Sequence, residues 1–194
     1  MSPLILGSTS IYRRQLLARL GLPFTVERPD VDETMRRGES ATGLVARLAR
    51  EKADAVTQRH PGAVVIGADQ VCVCGGEILG KPGSAARARA QLGQLSGREV
   101  EFLTAICVRS PRGPAEHDAA IVPTRVRFRD LSREAIERYV AREMPLDCAG
   151  SFKVEALGIA LFERVHSDDP TALIGLPLIS LCRALRAAGL DPLA

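Results

Sequence analysis

The chain has 194 residues, 46% hydrophobic and 25% charged, with a formal net charge of +3. That length suits one domain, or two small lobes, able to bury roughly 70% of the surface its unfolded chain exposes. The slight basic excess, without a block of five or six like charges, excludes a polybasic nucleic-acid binder, and 4% aromatics with no Trp exclude a stacking platform for single strands.

In chain order, Leu4-Ile5-Leu6 is an apolar run ending at Gly7 and reads as a buried strand. Ser8-Thr9-Ser10 offers helix caps. Ile11, Leu16, Leu17 and Leu20 then follow a helical period that Gly21 ends. Phe24-Thr25-Val26 predicts a second strand, and residues 29–39 a polar loop carrying Asp30, Asp32 and Glu33. An amphipathic helix is expected over 42–59, with Leu44, Leu48, Ala55 and Val56 inward. Ala63 to Ile66 has the continuous apolar character of a central strand, and Val71 to Cys74 stays extended. Gly75-Gly76 is a hairpin turn returning through Glu77-Ile78-Leu79. Ser84 caps a helix to Leu95, stopped by Ser96-Gly97.

Val100 to Val108 predicts a strand and Ser110 to Pro114 a turn. Ala119 to Phe128 predicts another strand, with Val122, Thr124, Val126 and Phe128 on one side and Arg125, Arg127 and Arg129 on the other. Ser132 caps a helix over 133–142. Residues 147–151 form a polar loop, 157–164 read as a strand, and 167–171 as a polar turn. Pro177 stands in the first turn of a last helix that ends before Gly189. Without repeats or a linker, residues 1–194 read as a single domain with a mixed α/β sheet and helices around it.

No run of 18 apolar residues is present, so no membrane span is expected, and residues 1–10 lack the features of a secretory signal. Cys72, Cys74, Cys107, Cys148 and Cys182 are odd in number and form no CxxC, which reads as reduced thiols in a cytoplasmic protein. His60, His117 and His166 make no ligand pair. A hard cation held by carboxylates fits this chain better than zinc.

Five segments carry groups suited to chemistry. Ser8-Thr9-Ser10 with Arg13 and Arg14 sits where a strand passes into a helix, a junction that aims backbone N–H groups at anions; an ordinary capped helix with solvated arginines reads equally well. Asp32, Glu33, Lys52, Asp69 and Lys81 lie at loops or element ends, and Asp69 leaves a buried strand where a general base or metal ligand often stands in α/β enzymes. Residues 75–82, ending Gly80-Lys81-Pro82, nearly spell a P-loop, but Pro82 replaces the magnesium-binding hydroxyl and removes a donor. Ala149-Gly150-Ser151-Phe152-Lys153-Val154-Glu155-Ala156-Leu157-Gly158 gathers charges and small residues between a loop and a strand. Asp168-Asp169-Pro170, before Gly175-Leu176-Pro177, reads as a solvated acidic turn.

Four of these five segments resemble one family, with matching residues in order from residue 4 to 178. Leu4 to Ser10 with Arg13-Arg14, Asp32-Glu33, Glu51-Lys52-Ala53, Gly67-Ala68-Asp69-Gln70, Gly80-Lys81-Pro82, Ala149-Gly150-Ser151 and Ile174 to Leu178 are similar to the motifs of the Maf nucleoside-triphosphate pyrophosphatases. Asp69 to Cys72, and Gly150 to Lys153 with Glu155, look like the branch that acts on 7-methyl-GTP. Gly7 and Ile11 depart from the usual alanine and proline without removing a functional group.

The resemblance implies a Maf/ITPase-like fold, a mixed elongated β-sheet with flanking helices forming two lobes around a cleft. The implied reaction cleaves between the α- and β-phosphates with a divalent cation, Mg2+ or Mn2+. Ser8, Ser10, Arg13, Lys52 and Lys81 are then the phosphate contacts. Asp69 is the general base, and Glu33 with Asp69 a metal pair; the sequence also fits both carboxylates acting only as metal ligands. Tyr12, Gln70 and Glu155 are the expected base-reading residues. The implied partner is a nucleotide, with a homodimer common among such proteins and neither nucleic acid nor membrane expected. Two other readings are dTTP or UTP as substrate, and inhibition of septum formation by binding in cell division.

Overall fold

A computed structural model describes residues 2–113 and 118–194. Met1 and residues 114–117, which include Pro114 of the expected turn and His117, lie outside the described residues. The elements run β1 (Leu4–Gly7), α1 (Ile11–Ala18), β2 (Thr25–Glu27), α2 (Ala41–Arg59), β3 (Val64–Cys74), β4 (Glu77–Leu79), α3 (Ala85–Leu95), β5 (Glu99–Arg109), β6 (Ala119–Phe128), α4 (Arg133–Glu143), β7 (Phe162–Ser167) and α5 (Leu178–Ala187). The strands form a mixed sheet in the order β2-β1-β3-β5-β6-β7, with β4 paired to β3 off that path. The chain divides into two compact units, Met1–Asp69 with Thr104–Val122 and Asp169–Ala194, and Gln70–Leu103 with Pro123–Asp168.

The caps form for the reasons the composition suggests. The Ser10, Ser84 and Ser132 side chains accept the backbone N–H groups of Arg13, Arg87 and Ala135, and Ser40 does the same for Gly43. Each satisfies a donor the helix cannot, a contribution of about 1 kcal/mol. Gly75 and Gly76 both take positive φ, 59° and 86°, as the tight β3–β4 hairpin requires.

Four expectations are corrected. Residues 157–161 are a 3-10 turn, and the strand starts only at Phe162; Gly158 there lies so close to the Lys153 backbone that a Cβ would stand 2.4 Å from its carbonyl oxygen. The first helix ends at Ala18, short of Leu20. Pro177 is the residue before the last helix rather than within it. Ala55 is only partly covered, and α2 instead buries Val45, Ala49, Lys52 and Ala53 beside Leu44, Leu48 and Val56.

In the first unit β1 pairs in parallel with both β2 and β3, with Gly7 opposite Gly67. Leu4, Leu6, Leu16, Leu17, Val64 and Ile66 pack with Leu181 and Leu185 of α5 in one core. Helix α2 lies directly over the glycine pair. A Cβ on Gly67 would stand 2.1 Å from the Ala49 carbonyl oxygen and 2.6 Å from the Ala53 nitrogen; one on Gly7 would stand 3.2 Å from the Lys52 carbonyl oxygen. The missing side chains let the helix backbone rest on the strands.

The second unit collects four of the chain's five phenylalanines. Phe152 packs edge-to-face with Phe102, Phe128 and Phe162, at centroid distances of 5.2, 5.8 and 4.8 Å. The scarce aromatics are thus spent on a core.

Gly67→Ala forces backbone against backbone and is expected to cost about 2 kcal/mol or more in urea unfolding. Gly62→Ala, where a Cβ meets nothing within 4 Å, is expected to stay within about 1 kcal/mol of the parent.

Candidate active site

Lys52 projects from α2 into the first unit, with only 5% of its surface exposed. An ammonium so placed is costly unless paired. Its Nζ lies 2.7 Å from Asp69 Oδ1 and 2.6 Å from Glu33 Oε1. Asp69 is itself buried, while Glu33 sits on the polar loop with 59% of its side chain exposed. Asp69 does not mark the end of a strand, because β3 runs on to Cys74. Its Oδ1 is held by Lys52, and its Oδ2 accepts no hydrogen bond among the described residues.

Arg13 enters the same neighbourhood from α1. Its Nε donates to the Gly175 carbonyl at 2.9 Å and its Nη1 to the Ala68 carbonyl at 3.0 Å, with Ser8 Oγ at 3.5 Å. Two of its arms are therefore anchored on backbone, and Nη2 has no partner among the described residues. Burial pulls the guanidinium below its ordinary value, while the carboxylates of Asp69 and then Glu33 pull it back. Ser8 is buried, and its Oγ accepts the Ser10 N–H; the Ser10 hydroxyl accepts the Arg13 N–H. Ser8, Ser10, Arg13, Glu33, Lys52 and Asp69 thus come together in one unit. Tyr12 is half-buried in the first turn of α1, and Arg14 is exposed.

Gln70, Lys81 and Glu155 belong to the second unit. Gln70 is half-buried in β3; Lys81 is exposed on the segment after β4. Glu155 is exposed, yet partial desolvation of its carboxyl, followed by the like charges of Asp147 and Glu143, raises its pKa against a backbone hydrogen bond and Lys153. Lys153 is fixed nearby, its N–H donating to Tyr139 Oη at 3.0 Å and its Nζ to the Glu143 carbonyl at 2.7 Å.

Two loops of this unit are tied together by a residue the sequence reading missed. Gln91 of α3 accepts the Ser151 hydroxyl and donates to the Gly80 carbonyl at 3.1 Å. Ser151 is fully buried with φ 61°, and Gly150 has φ 73° with a would-be Cβ 2.9 Å from the Phe102 ring. The segment is held rather than open. Nothing in the local pattern of α3 singles out Gln91, because its partners are distant in sequence.

Asp169 is a second correction. Asp168 is exposed as expected, but Asp169 is buried at 2% exposure. Its carboxylate accepts the Thr171 N–H and hydroxyl and, at 2.7 Å, the Ile179 N–H at the start of α5. It is an internal helix cap, not a solvated turn.

All five cysteines are free, and burial pushes Cys72 up to about 12 and Cys107 to about 11, values that suit packing rather than nucleophilic attack. Among the described residues no group of three or more His, Cys, Asp and Glu stands ready to hold a metal. Two carboxylates, Glu33 and Asp69, do converge on one positive charge, the Lys52 ammonium. That fits a hard cation of the Mg2+ type, which takes one or two carboxylates and completes its shell with substrate phosphates and water. No helix among the described residues is long and apolar enough to cross a membrane.

A family model described as Maf-like protein matches residues 3–188. A protein from Aromatoleum aromaticum described as 7-methyl-GTP pyrophosphatase is 56% identical over 97% of both chains. One of the same description from Pseudomonas putida is 53% identical over 97% of this chain and 98% of its own. Among solved structures, a HAM1 protein from Coxiella burnetii aligns with a TM-score of 0.43 at 18% identity, over 66% of this chain and 73% of that one, a likeness too slight to carry an argument.

Lys52→Met leaves the Asp69 carboxylate buried beside Glu33 without its cation. It is expected to cost about 3 kcal/mol in urea unfolding at neutral pH. Much of that loss should be recovered in Lys52→Met/Asp69→Asn, which removes the orphaned charge.

Proposed function

The chain belongs to the Maf family, and on that premise we propose that it is a nucleoside-triphosphate pyrophosphatase converting 7-methyl-GTP and water to 7-methyl-GMP and pyrophosphate. The observation that carries this reading is the buried Lys52 bridging Asp69 and Glu33 beside Arg13. It gathers a base, carboxylate ligands and cations on the residues whose motifs are those of the family. Curated relatives described as 7-methyl-GTP pyrophosphatases, 53% and 56% identical over nearly the full chain, support the choice of substrate. In this reading residues 1–194 act as one catalytic domain in the cytoplasm, with a second copy as partner, and clear modified nucleotides before they are used.

The substrate is a polyanion, and the residues assigned to it are cationic or hydrogen-bond donors. Ser8, Ser10, Arg13, Lys52 and Lys81 are the proposed phosphate contacts. Arg13 offers Nη2 to a phosphate oxygen, since its other arms hold Gly175 and Ala68. Asp69 Oδ2 takes the proton of the attacking water while Oδ1 stays on Lys52. The water oxygen bonds to the α-phosphorus as that atom's bond to the bridging oxygen breaks, the electron pair leaves with the bridging oxygen on pyrophosphate, and positioned cations stabilise the charge that develops there. Glu33 and Asp69 would hold a divalent cation, Mg2+ or Mn2+, which when bound neutralises phosphate charge and makes water more acidic.

Base selection rests on charge. The 7-methylguanine ring is cationic, so stacking of Tyr12 on it gains roughly 0.5–2 kcal/mol of cation–π attraction. The Glu155 carboxylate accepts from the guanine N1–H and exocyclic amine more strongly than an amide would, and Gln70 reads a further edge.

The test is pyrophosphate release from 7-methyl-GTP, GTP, dTTP, UTP and CTP with Mg2+. Preference for 7-methyl-GTP, with loss of at least about 100-fold in kcat for a folded Asp69→Asn, is the expected outcome. Preference for dTTP or UTP would reject the substrate, and no turnover of any nucleotide would reject the enzyme. Glu155 adds a pH signature. Its raised pKa means that acidification neutralises it sooner than an ordinary glutamate, so preference for 7-methyl-GTP over GTP should fall as pH is lowered, and should begin to fall at a higher pH than an unshifted glutamate would give. Glu155→Gln should lower that preference at pH 7 by about ten-fold and remove its dependence on this group.

A further inference from the structure

Glu33 poses a positioning problem. It sits on a segment with no helix or strand between β2 and α2, and 59% of its side chain is exposed. Its carboxylate nevertheless reaches Lys52 Nζ at 2.6 Å. Backbone conformation alone does not hold an exposed loop to that tolerance, so something must fix the segment to the helix that carries Lys52.

That role falls to Arg47, five residues before Lys52 on α2, with a side chain only 12% exposed. Its guanidinium grips Glu39 in a bidentate pair, Nε to Oε1 at 2.6 Å and Nη2 to Oε2 at 2.8 Å. Nη2 also donates to the Thr34 carbonyl at 3.1 Å, and Nη1 to Glu51 Oε2 at 3.0 Å. The network closes on itself. The Arg36 N–H donates to Glu39 Oε2 at 3.0 Å, and Arg36 Nη2 pairs with Glu51 at 2.8 Å. On the near side of the loop, the Thr34 N–H donates to Asp32 Oδ1 at 2.9 Å, so the residues flanking Glu33 are bound to each other. The Thr34 carbonyl held by Arg47 is one residue beyond Glu33.

We infer that Arg47 is a positioning residue for the reaction: by pinning the Thr34 carbonyl and the Glu39 carboxylate to α2, it holds Glu33 at Lys52 and Asp69. This rests on the reading of Glu33, Lys52 and Asp69 as a catalytic group. The planar five-donor fork is what the geometry needs, because three acceptor groups in different directions are served at once; a lysine, a single point charge, serves at most part of this set. The clamp is ionised throughout any ordinary assay. Glu39 is held down to about 2 by Arg47 first and the Arg36 N–H second. A depressed carboxyl gives its stabilisation in full above its ordinary value and loses it only as pH falls toward the depressed one. The effect of Arg47 on rate should therefore be flat across neutral pH.

The experiment uses the full chain with four substitutions: Arg47→Lys, Glu39→Gln, Glu33→Gln and Arg47→Lys/Glu33→Gln. Two readouts are taken, pyrophosphate release from 7-methyl-GTP with Mg2+, and amide hydrogen exchange over residues 31–39. Arg47→Lys is expected to speed exchange at residues 33–36 and to lower kcat about ten-fold, with the nucleotide KM within about two-fold of the parent. Glu39→Gln, which loosens the same clamp from the loop side, should act in the same direction and serves in place of Arg47→Lys if that variant does not fold. The double variant should be no more than about two-fold slower than Glu33→Gln, because a residue that acts only through Glu33 has nothing left to position. Unchanged exchange, an undiminished kcat, or losses that multiply in the double variant would each overturn the inference. If the parent chain releases no pyrophosphate from any nucleotide, the proposed function fails, and the exchange arm still decides whether Arg47 fixes the loop.

Discussion

A buried ammonium sets the terms for the first unit of this structure. Moving a lysine head group out of water costs several kcal/mol unless opposite charge and hydrogen bonds replace the lost hydration. Lys52 meets that demand with one buried and one exposed carboxylate, Asp69 and Glu33. Each partner comes from a different element: a helix, a central strand and a loop. The geometry is possible only because α2 lies almost on the strands, and it lies there because Gly7 and Gly67 face each other in register without side chains. Backbone contact, helix height and charge placement are one arrangement. Changing the glycine floor would move the cation.

The second unit solves a different problem. Its loops carry Lys81, Lys153 and Glu155, and loops do not place side chains unless something rigid holds them. Here the rigid body is an aromatic core of four phenylalanines. Gly150 packs against two of these rings, where a larger residue would collide. The left-handed backbone at Gly150 and Ser151 turns the Ser151 hydroxyl to Gln91, which also grips the Gly80 carbonyl next to Lys81. A non-glycine residue at positive φ is mildly unfavourable, and burial with a hydrogen bond offsets it. The same logic, a polar side chain gripping main chain, recurs at Asp169 and at Arg13.

Much of the architecture was legible from local signals. The serine caps, the paired glycines of the hairpin and the two-residue alternation of β6 depend on neighbours a few residues away, and each formed where its pattern stands. The departures have long-range or steric causes. Residues 157–161 are apolar enough for a strand, but the approach of Gly158 to the Lys153 backbone coils them instead. Asp169 looks like a surface acid until α5 comes to rest above it. Ala55 fits the apolar stripe of its helix, yet the strands lie to one side, where Ala49 and Ala53 meet them.

By itself, the sequence determined which groups were available and the family to which they belong: a strand–helix junction rich in hydroxyls and arginines, two acids, two lysines, and glycines at the right turns. Short motifs carry that information because each is read within a few residues. Tertiary structure alone decided how they are used. It sank Lys52 between two carboxylates, turned most of Arg13 toward the Gly175 and Ala68 carbonyls, and made partners of Arg47 and the loop that carries Glu33. The reason is physical. Burial and electrostatic pairing depend on distances between segments tens of residues apart, and such distances exist only once the helices have packed on the sheet.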